Sequence, residues 1–207
     1  MNHGTAGTVY VVDDDESMRR GLRRLFRSVG YSVVTFSLAE EFLLVERTET
    51  AACLVLDFCM PGLNGIELQE KLCERERAIP IIFLTGLGDI PICAGAMKAG
   101  AVDFLPKPFN DKALLDAVAR ALEQDANAVR SWREHQAARA RVALLTPREF
   151  QVMRHLISGK PNKVIAADLG TAEQTIKIHR GRVLEKMAAA SIVDLSRTAQ
   201  IARIQPA

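Results

Sequence analysis

The chain has 207 residues, 48% of them hydrophobic and 25% charged, which is enough to build one large core or two ordinary ones. The four cysteines (Cys53, Cys59, Cys73, Cys93) form no CxxC pair and have no neighbouring histidine, which argues against a zinc site or a disulfide framework. No stretch approaches the ~18 consecutive apolar residues of a membrane span, and the first eight residues lack the apolar core of a secretion signal. We therefore expect a cytoplasmic protein.

Charge divides the chain unevenly. Residues 1–124 hold 13 Lys and Arg against 18 Asp and Glu, a balance of −5, whereas residues 125–207 hold 14 against 7, a balance of +7. We therefore expect two domains. A basic second domain is typical of proteins that bind a polyanion such as nucleic acid.

The first half alternates short apolar runs with amphipathic patterns. Strands are predicted over 8–12, 31–36, 53–57, 80–84 and 101–105. Helices are predicted after the acidic run 13–16, after a capping box of Ser37 with Glu40, from near Gly65, up to Lys98, and through Leu114 to Leu122. Such alternation predicts an α/β flavodoxin-like (CheY-like) domain with a five-stranded parallel sheet in the order 2-1-3-4-5.

Polar residues follow the carboxyl ends of these strands. Asp57 ends a fully apolar run, Asp13 and Asp14 end the first strand, Thr85 ends the fourth, and Lys107 follows the fifth. Asp57 could instead cap the next helix, although Pro61 and two glycines separate it from that pattern. At one sheet edge, three carboxylates favour a hard cation such as Mg²⁺, and Asp57 becomes a candidate nucleophile towards phosphorus.

With this spacing, residues 8–122 resemble the receiver domain of two-component response regulators. The resemblance implies that Asp57 is the phosphoacceptor and that Thr85 and Lys107 bind the phosphoryl group. It also implies that Asp14, Asp57 and the backbone carbonyl of Cys59 ligate Mg²⁺, with Asp13 supporting the metal through water.

Two further features follow from the receiver resemblance. Phe104 occupies the position of the family's switch aromatic, which turns inward when Thr85 moves towards the phosphate; it could equally be an ordinary core phenylalanine. The resemblance also implies a cis peptide bond between Lys107 and Pro108.

A helical linker joins the halves. Residues 122–142 contain neither Pro nor Gly and are rich in Ala, Arg, Glu and Gln. The predicted organisation is a receiver domain over 1–124, a linker over 125–142 and a DNA-binding domain over 143–207.

The second half predicts four helices. They begin at a Thr146, Pro147 and Glu149 capping box, at Asn162, at a second box of Thr171 with Gln174, and at Ser191. The middle two, joined at Gly170, form a helix-turn-helix. The second of these carries a basic face, read as DNA-contacting rather than merely solvated: Thr175, Lys177, His179, Arg180 and Arg182.

Residues 144–203 resemble the LuxR/FixJ/NarL-type DNA-binding domain, through the Leu145–Glu149, Gly159–Ala166 and Thr175–Arg180 motifs. This resemblance implies that Lys177 and Ile178 face bases and that Lys163, Thr175 and His179 meet phosphates. Gly181 departs from some relatives that place a basic, base-reading residue there, which weakens any transfer of a relative's operator sequence.

Together the two resemblances identify the chain as a FixJ-subfamily response regulator. We expect a sensor histidine kinase to phosphorylate Asp57, and the phosphorylated protein to dimerise, bind promoter DNA and work with RNA polymerase. One alternative is a dimeric DNA-binding regulator that needs no phosphorylation. The other is an aspartyl-nucleophile phosphatase of the haloacid dehalogenase type, which is disfavoured because Cys59 stands where those enzymes carry a second carboxylate.

Overall fold

The computed structural model describes residues 7–75, 77–86 and 100–207. The strands are β1 (Thr8–Val12), β2 (Ser32–Phe36), β3 (Ala52–Asp57), β4 (Ile81–Thr85) and β5 (Asp103–Pro106). They form a parallel sheet in the order β2-β1-β3-β4-β5, which confirms the predicted fold. The predicted helix reaching Lys98, like Cys93, lies outside the described residues.

The two faces of the sheet bury alternate residues of each strand. One face packs on the helices α1 (Glu16–Ser28) and α4 (Asp111–Ala143), and its core includes Val11 and Val55. The opposite face packs on α2 (Ala39–Leu43) and α3 (Gly65–Cys73), and its core includes Val12 and Leu56. All six residues of β3 are buried, as expected for a central parallel strand.

Helix α4 is a continuous helix of 33 residues, which corresponds to a length of about 50 Å. This confirms the predicted helical character of residues 122–142. The chain divides into two compact units, Met1–Val129 and Arg130–Ala207, within this helix. The predicted boundaries at residues 124 and 143 remain predictions.

A buried ion pair holds α4 at the amino-terminal edge of the sheet. Asp125 is completely buried, and its Oδ2 accepts hydrogen bonds from the Arg47 guanidinium and from the backbone N–H of Ala52, the latter at 2.8 Å. Arg47 also donates to the carbonyl oxygen of Ala78 at 2.8 Å. One carboxylate thus joins α4 to the first residue of β3, at the opposite end of that strand from Asp57.

The second unit contains the helices α5 (Pro147–Ile157), α6 (Asn162–Asp168), α7 (Glu173–Lys186) and α8 (Ile192–Ile201). Their core includes Met153, Ile165, Ile176 and Leu195. In the part of the chain that the structure describes, no helix is both long and apolar enough to cross a membrane.

Of the predicted helix starts in the second unit, those at Thr146, Asn162 and Ser191 are confirmed. Thr146 caps α5, and the Glu149 carboxylate accepts from the Thr146 N–H at 2.9 Å and from Lys186 Nζ at 2.7 Å. The hydrogen bond from Lys186, reinforced by the one from the Thr146 backbone, lowers the pKa of Glu149 to about 2. Glu149 therefore ties the start of α5 to the last turn of α7.

Two other predicted capping boxes were wrong. Helix α2 begins after Leu38, and the N–H and hydroxyl of Ser37 donate to Glu41, at 3.2 and 3.4 Å, rather than pairing with Glu40. Helix α7 begins after Ala172 without a side-chain cap. The Thr171 N–H instead donates to Ala166 at 2.9 Å, so Thr171 closes α6, beside a Gly170 with a φ of +60°.

Candidate functional site

Three carboxylates meet at the carboxyl edge of the sheet. β1 delivers Asp13 and Asp14, and β3 delivers Asp57. One carboxylate oxygen from each lies within 4.8 Å of the others. Asp13 is completely buried and Asp57 is 7% exposed, whereas Asp14 is open to solvent. Like charges held this close require a positive partner.

Lys107 supplies a positive charge to this cluster. Its Nζ lies 3.0 Å from Asp13 Oδ2 and 3.1 Å from Asp57 Oδ2. Burial alone would lower the pKa of Lys107, but the hydrogen bonds to Asp13 and Asp57 outweigh it and raise the pKa. Burial also raises the pKa of Asp57, and the Lys107 ammonium limits that rise. Asp57 is thus a desolvated carboxylate held by an ammonium, the state expected of an oxygen nucleophile.

The other predicted receiver residues lie near this edge. Thr85 is completely buried at the end of β4, its hydroxyl donates to the Gly86 carbonyl at 3.1 Å, and its own carbonyl accepts from the Lys107 N–H at 2.6 Å. The Lys107–Pro108 bond is cis, as the receiver resemblance implied. Phe104 is half-buried against the α2 and α3 side of the core, and its switching role remains a prediction.

On α7, the structure separates the predicted DNA-contacting residues into an outer group and a flanking group. Lys177, Ile178 and Arg182 are exposed and point away from the buried Ile176 and Val183. Lys163 is likewise exposed, on α6. The flanking residues are less exposed, each being half-buried: Thr175, His179 and Arg180.

His179 is more constrained than its neighbours. Its Nδ1 is buried and accepts or donates no hydrogen bond among the described residues.

Comparison with known proteins matches both units. Residues 9–119 match the family described as response regulator receiver domain, and residues 143–199 match the bacterial regulatory proteins of the luxR family. The first match alone covers more than half of the chain. This chain belongs to the response regulators.

The regulator resembles several relatives along nearly its whole length. It is 48% identical over 196 residues to Nodulation protein W of Bradyrhizobium diazoefficiens, covering 95% of the chain and 86% of that relative. It is 43% identical over 195 residues to Transcriptional regulatory protein FixJ of the same organism, covering 94% and 95%. The solved structure of the response regulator StyR superposes with a TM-score of 0.85 at 47% identity, covering 93% of the regulator and 98% of that chain.

These matches establish a FixJ-type two-component response regulator: a phosphorylatable receiver followed by a LuxR-type DNA-binding domain, which acts as a transcription factor. Its receiver belongs to a family that binds Mg²⁺ in an acidic pocket.

The regulator's acidic cluster fits a small hard cation. Oxygen ligands about 2.0–2.1 Å from Mg²⁺ lie within roughly 4 Å of one another, so three carboxylate oxygens already within 4.8 Å need only small movements to share an ion. Cys59 follows two residues after Asp57, and its backbone N–H hydrogen-bonds the Asp57 carboxylate. Its carbonyl as a further ligand remains a prediction.

Sequence reasoning missed two features of the regulator's site. Asn64 and Glu67 form a reciprocal capping box at the start of α3, the helix that follows the Asp57 loop. The Asn-x-x-Glu spacing was a usable signal for it. Arg19 on α1 donates to the carbonyl oxygens of Asp13 and Asp14. No sequence pattern predicts a hydrogen bond from a side chain to the carbonyl oxygen of a residue several positions away.

Proposed function

We propose that Asp57 accepts a phosphoryl group from a sensor histidine kinase, and that the phosphorylated protein dimerises and binds promoter DNA. The observation that carries this proposal is the cluster itself: Asp57 is desolvated, lies beside Asp13 and Asp14, and has Lys107 Nζ at 3.1 Å. The Asp57 carboxylate oxygen would attack phosphorus as the bond from phosphorus to the phosphohistidine nitrogen breaks. The electron pair of that bond returns to the imidazole.

The residues around Asp57 divide the work of this transfer. Lys107 would hold one phosphoryl oxygen by its ammonium, and the hydroxyl of Thr85 would turn from the Gly86 carbonyl to another. Asp13, Asp14 and Asp57, with the Cys59 carbonyl, would hold Mg²⁺, which when bound neutralises carboxylate charge and orients the phosphoryl oxygens. The Phe104 side chain would then turn inward as Thr85 moves towards the phosphoryl group.

The test is phosphorylation of the full-length chain with acetyl phosphate and Mg²⁺. We expect the wild-type protein to gain one phosphoryl group by intact mass and to dimerise in sedimentation. Asp57→Asn, which keeps the size of the side chain but removes the nucleophile, should do neither. If small donors fail, a cognate kinase is the deciding donor, and a wild type that gains no mass from it contradicts the proposal.

The proposed reaction is stoichiometric rather than a turnover of small phosphomonoesters. Cys59 is an exposed thiol at the position where haloacid dehalogenase-type phosphatases carry a general acid. A wild type that dimerises and binds DNA unmodified would instead support the phosphorylation-independent regulator. A cytoplasmic location follows from this proposal, because the regulator would bind promoter DNA there. At the promoter, its partner would be RNA polymerase.

We further propose that α7 enters the major groove. Lys177 and Ile178 would face base edges, the latter suited by its exposed apolar side chain to a thymine methyl group. The remaining contacts would go to phosphates: Lys163, Thr175, His179, Arg180 and Arg182.

Phosphate contacts can be counted through salt. We expect Arg182→Ala to weaken binding to a random-sequence duplex and to reduce the slope of log affinity against log salt by about 1, since each phosphate contact releases about one counterion. Lys112→Ala removes the same charge from an exposed position on the receiver side of α4 and should leave the slope unchanged. An unchanged slope for Arg182→Ala would remove that residue from the interface.

A further inference from the structure

The turn that carries Asp13 and Asp14 is held by a side chain from α1. Arg19 Nη1 donates to the carbonyl oxygen of Asp13 at 2.6 Å and to that of Asp14 at 2.8 Å. Both hydrogen bonds go to main-chain oxygens, and the carboxylates take no part in them. A single guanidinium nitrogen thus fixes two consecutive peptide units of the acidic turn to the helix that follows it.

Further hydrogen bonds hold the Asp13 carboxylate directly, and Lys107 Nζ donates to its Oδ2 at 3.0 Å. The Asp15 N–H donates to Asp13 Oδ1 at 2.9 Å, and Asp15 itself caps α1 through the Ser17 N–H at 2.7 Å. The position of Asp14, which is exposed, therefore depends on the peptide units that Arg19 holds.

We propose that Arg19 is a positioning residue for divalent-cation binding, acting through the backbone of Asp13 and Asp14. This inference rests on the proposed Mg²⁺ site. Groups that orient metal ligands without touching the metal contribute about 10- to 100-fold to metal affinity. Arg19 holds the peptide units from which two of the three clustered carboxylates project.

The loss of Arg19 should change the metal affinity in opposite directions, depending on whether its charge or its hydrogen bonds matter. A cation beside three carboxylates repels an incoming divalent ion, so removal of the guanidinium charge by itself would tighten metal binding. Release of the two carbonyls would instead let the turn relax and weaken metal binding. The direction of the change therefore separates a positioning role from a purely electrostatic one.

The choice of ion adds a second criterion. Mg²⁺ requires nearly ideal octahedral geometry, whereas Ca²⁺ accepts six to eight ligands in a flexible arrangement. Loss of a positioning group should therefore weaken Mg²⁺ binding more than Ca²⁺ binding. Loss of a distant charge would change the two affinities alike.

The experiment is calorimetric titration of the full-length, unphosphorylated protein with MgCl₂ and with CaCl₂. For Arg19→Ala we expect a roughly 10-fold or greater loss of Mg²⁺ affinity and a clearly smaller loss for Ca²⁺. Arg20→Ala is the matched control, because Arg20 is the next residue of α1, is largely exposed, and makes a 3.6 Å ion pair with Glu16. It should bind both ions as the wild type does.

Other outcomes decide against the inference. Equal or tighter Mg²⁺ binding by Arg19→Ala, or an equal loss for both ions, would overturn the positioning role. If circular dichroism shows that Arg19→Ala is not folded, Arg19→Met keeps most of the aliphatic stem while removing both hydrogen bonds, and the same criteria apply. A wild-type protein that binds no Mg²⁺ would instead overturn the proposed metal site itself.

Discussion

Replacing Asp125 with alanine is expected to lower the free energy of unfolding of the first unit by about 3–5 kcal/mol, the usual loss when one partner of a buried ion pair is removed. The Arg47 guanidinium, only 13% exposed, would lose its carboxylate partner. The N–H of Ala52, at the first position of β3, would lose its acceptor in the interior. Urea unfolding followed by circular dichroism measures the change as a shift of the first unit's transition.

Two variants sharpen this result. Asp125→Asn keeps an oxygen that can accept from the Ala52 N–H but removes the charge, so we expect an intermediate loss. Asp116→Ala makes the same chemical change at an exposed position of α4 and should alter stability by no more than about 0.5 kcal/mol. If the free energy of unfolding of Asp125→Ala lies within about 1 kcal/mol of the wild-type value, the attraction within the pair does little more than offset the cost of desolvating its two charges.

Replacing Glu149 with glutamine should destabilise the second unit by about 2 kcal/mol at neutral pH, because the helix cap weakens and the hydrogen bond from Lys186 loses its negatively charged acceptor. Glu149 is 2% exposed and accepts from both the Thr146 N–H and Lys186. Thermal unfolding of the wild type and the variant, followed across pH, measures both the size of the loss and its origin.

The pH dependence of this loss has a definite sign. The pKa of Glu149 is about 2 in the folded protein against an ordinary value of 4.5, so its carboxylate stabilises the folded state fully above about pH 4.5. That contribution disappears as the pH falls towards about 2. The stabilities of wild type and Glu149→Gln should therefore converge over this interval. Glu185→Gln, an exposed glutamate of α7, should show no such convergence.

The sheet and its acidic edge could be predicted because their determinants are local. Each strand is an apolar run, and a polar residue marks where it ends, so Asp13, Asp57 and Thr85 could be placed at one edge without a structure. Lys107 followed from the same rule applied to the fifth strand. Parallel connections then leave few possible strand orders.

The contacts that secure these elements could not be predicted in the same way. Arg19, Arg47 and Asp125 act through main-chain atoms or partners far along the chain, 78 residues apart in the case of Arg47 and Asp125. No periodicity encodes such pairs. An arginine on a helix looks the same in sequence whether it faces solvent or a carbonyl.

A predicted helix start was wrong where the same residue is needed to end the preceding helix. The Thr171 spacing matches a capping box, yet its N–H completes the turn that ends α6. In a short helix-turn-helix connection, the end of one helix and the start of the next compete for the same backbone groups. Thr146 and Asn64 meet no such competition, and both cap their helices.

Side chains along β3 project alternately to the two faces of the sheet, so the face that Asp57 occupies depends on whether its position in the strand is odd or even. Cys53 and Val55 contribute to the core beneath α1 and α4, while Leu54 and Leu56 contribute to the core beneath α2 and α3. Asp57, as an odd-numbered residue of the strand, projects to the first side. Hydrophobic exchanges within β3 should thus be tolerated far better than any change in its length. Deleting one of these residues would send the carboxylate to the wrong side of the sheet, although every chemical group of the site would still be encoded.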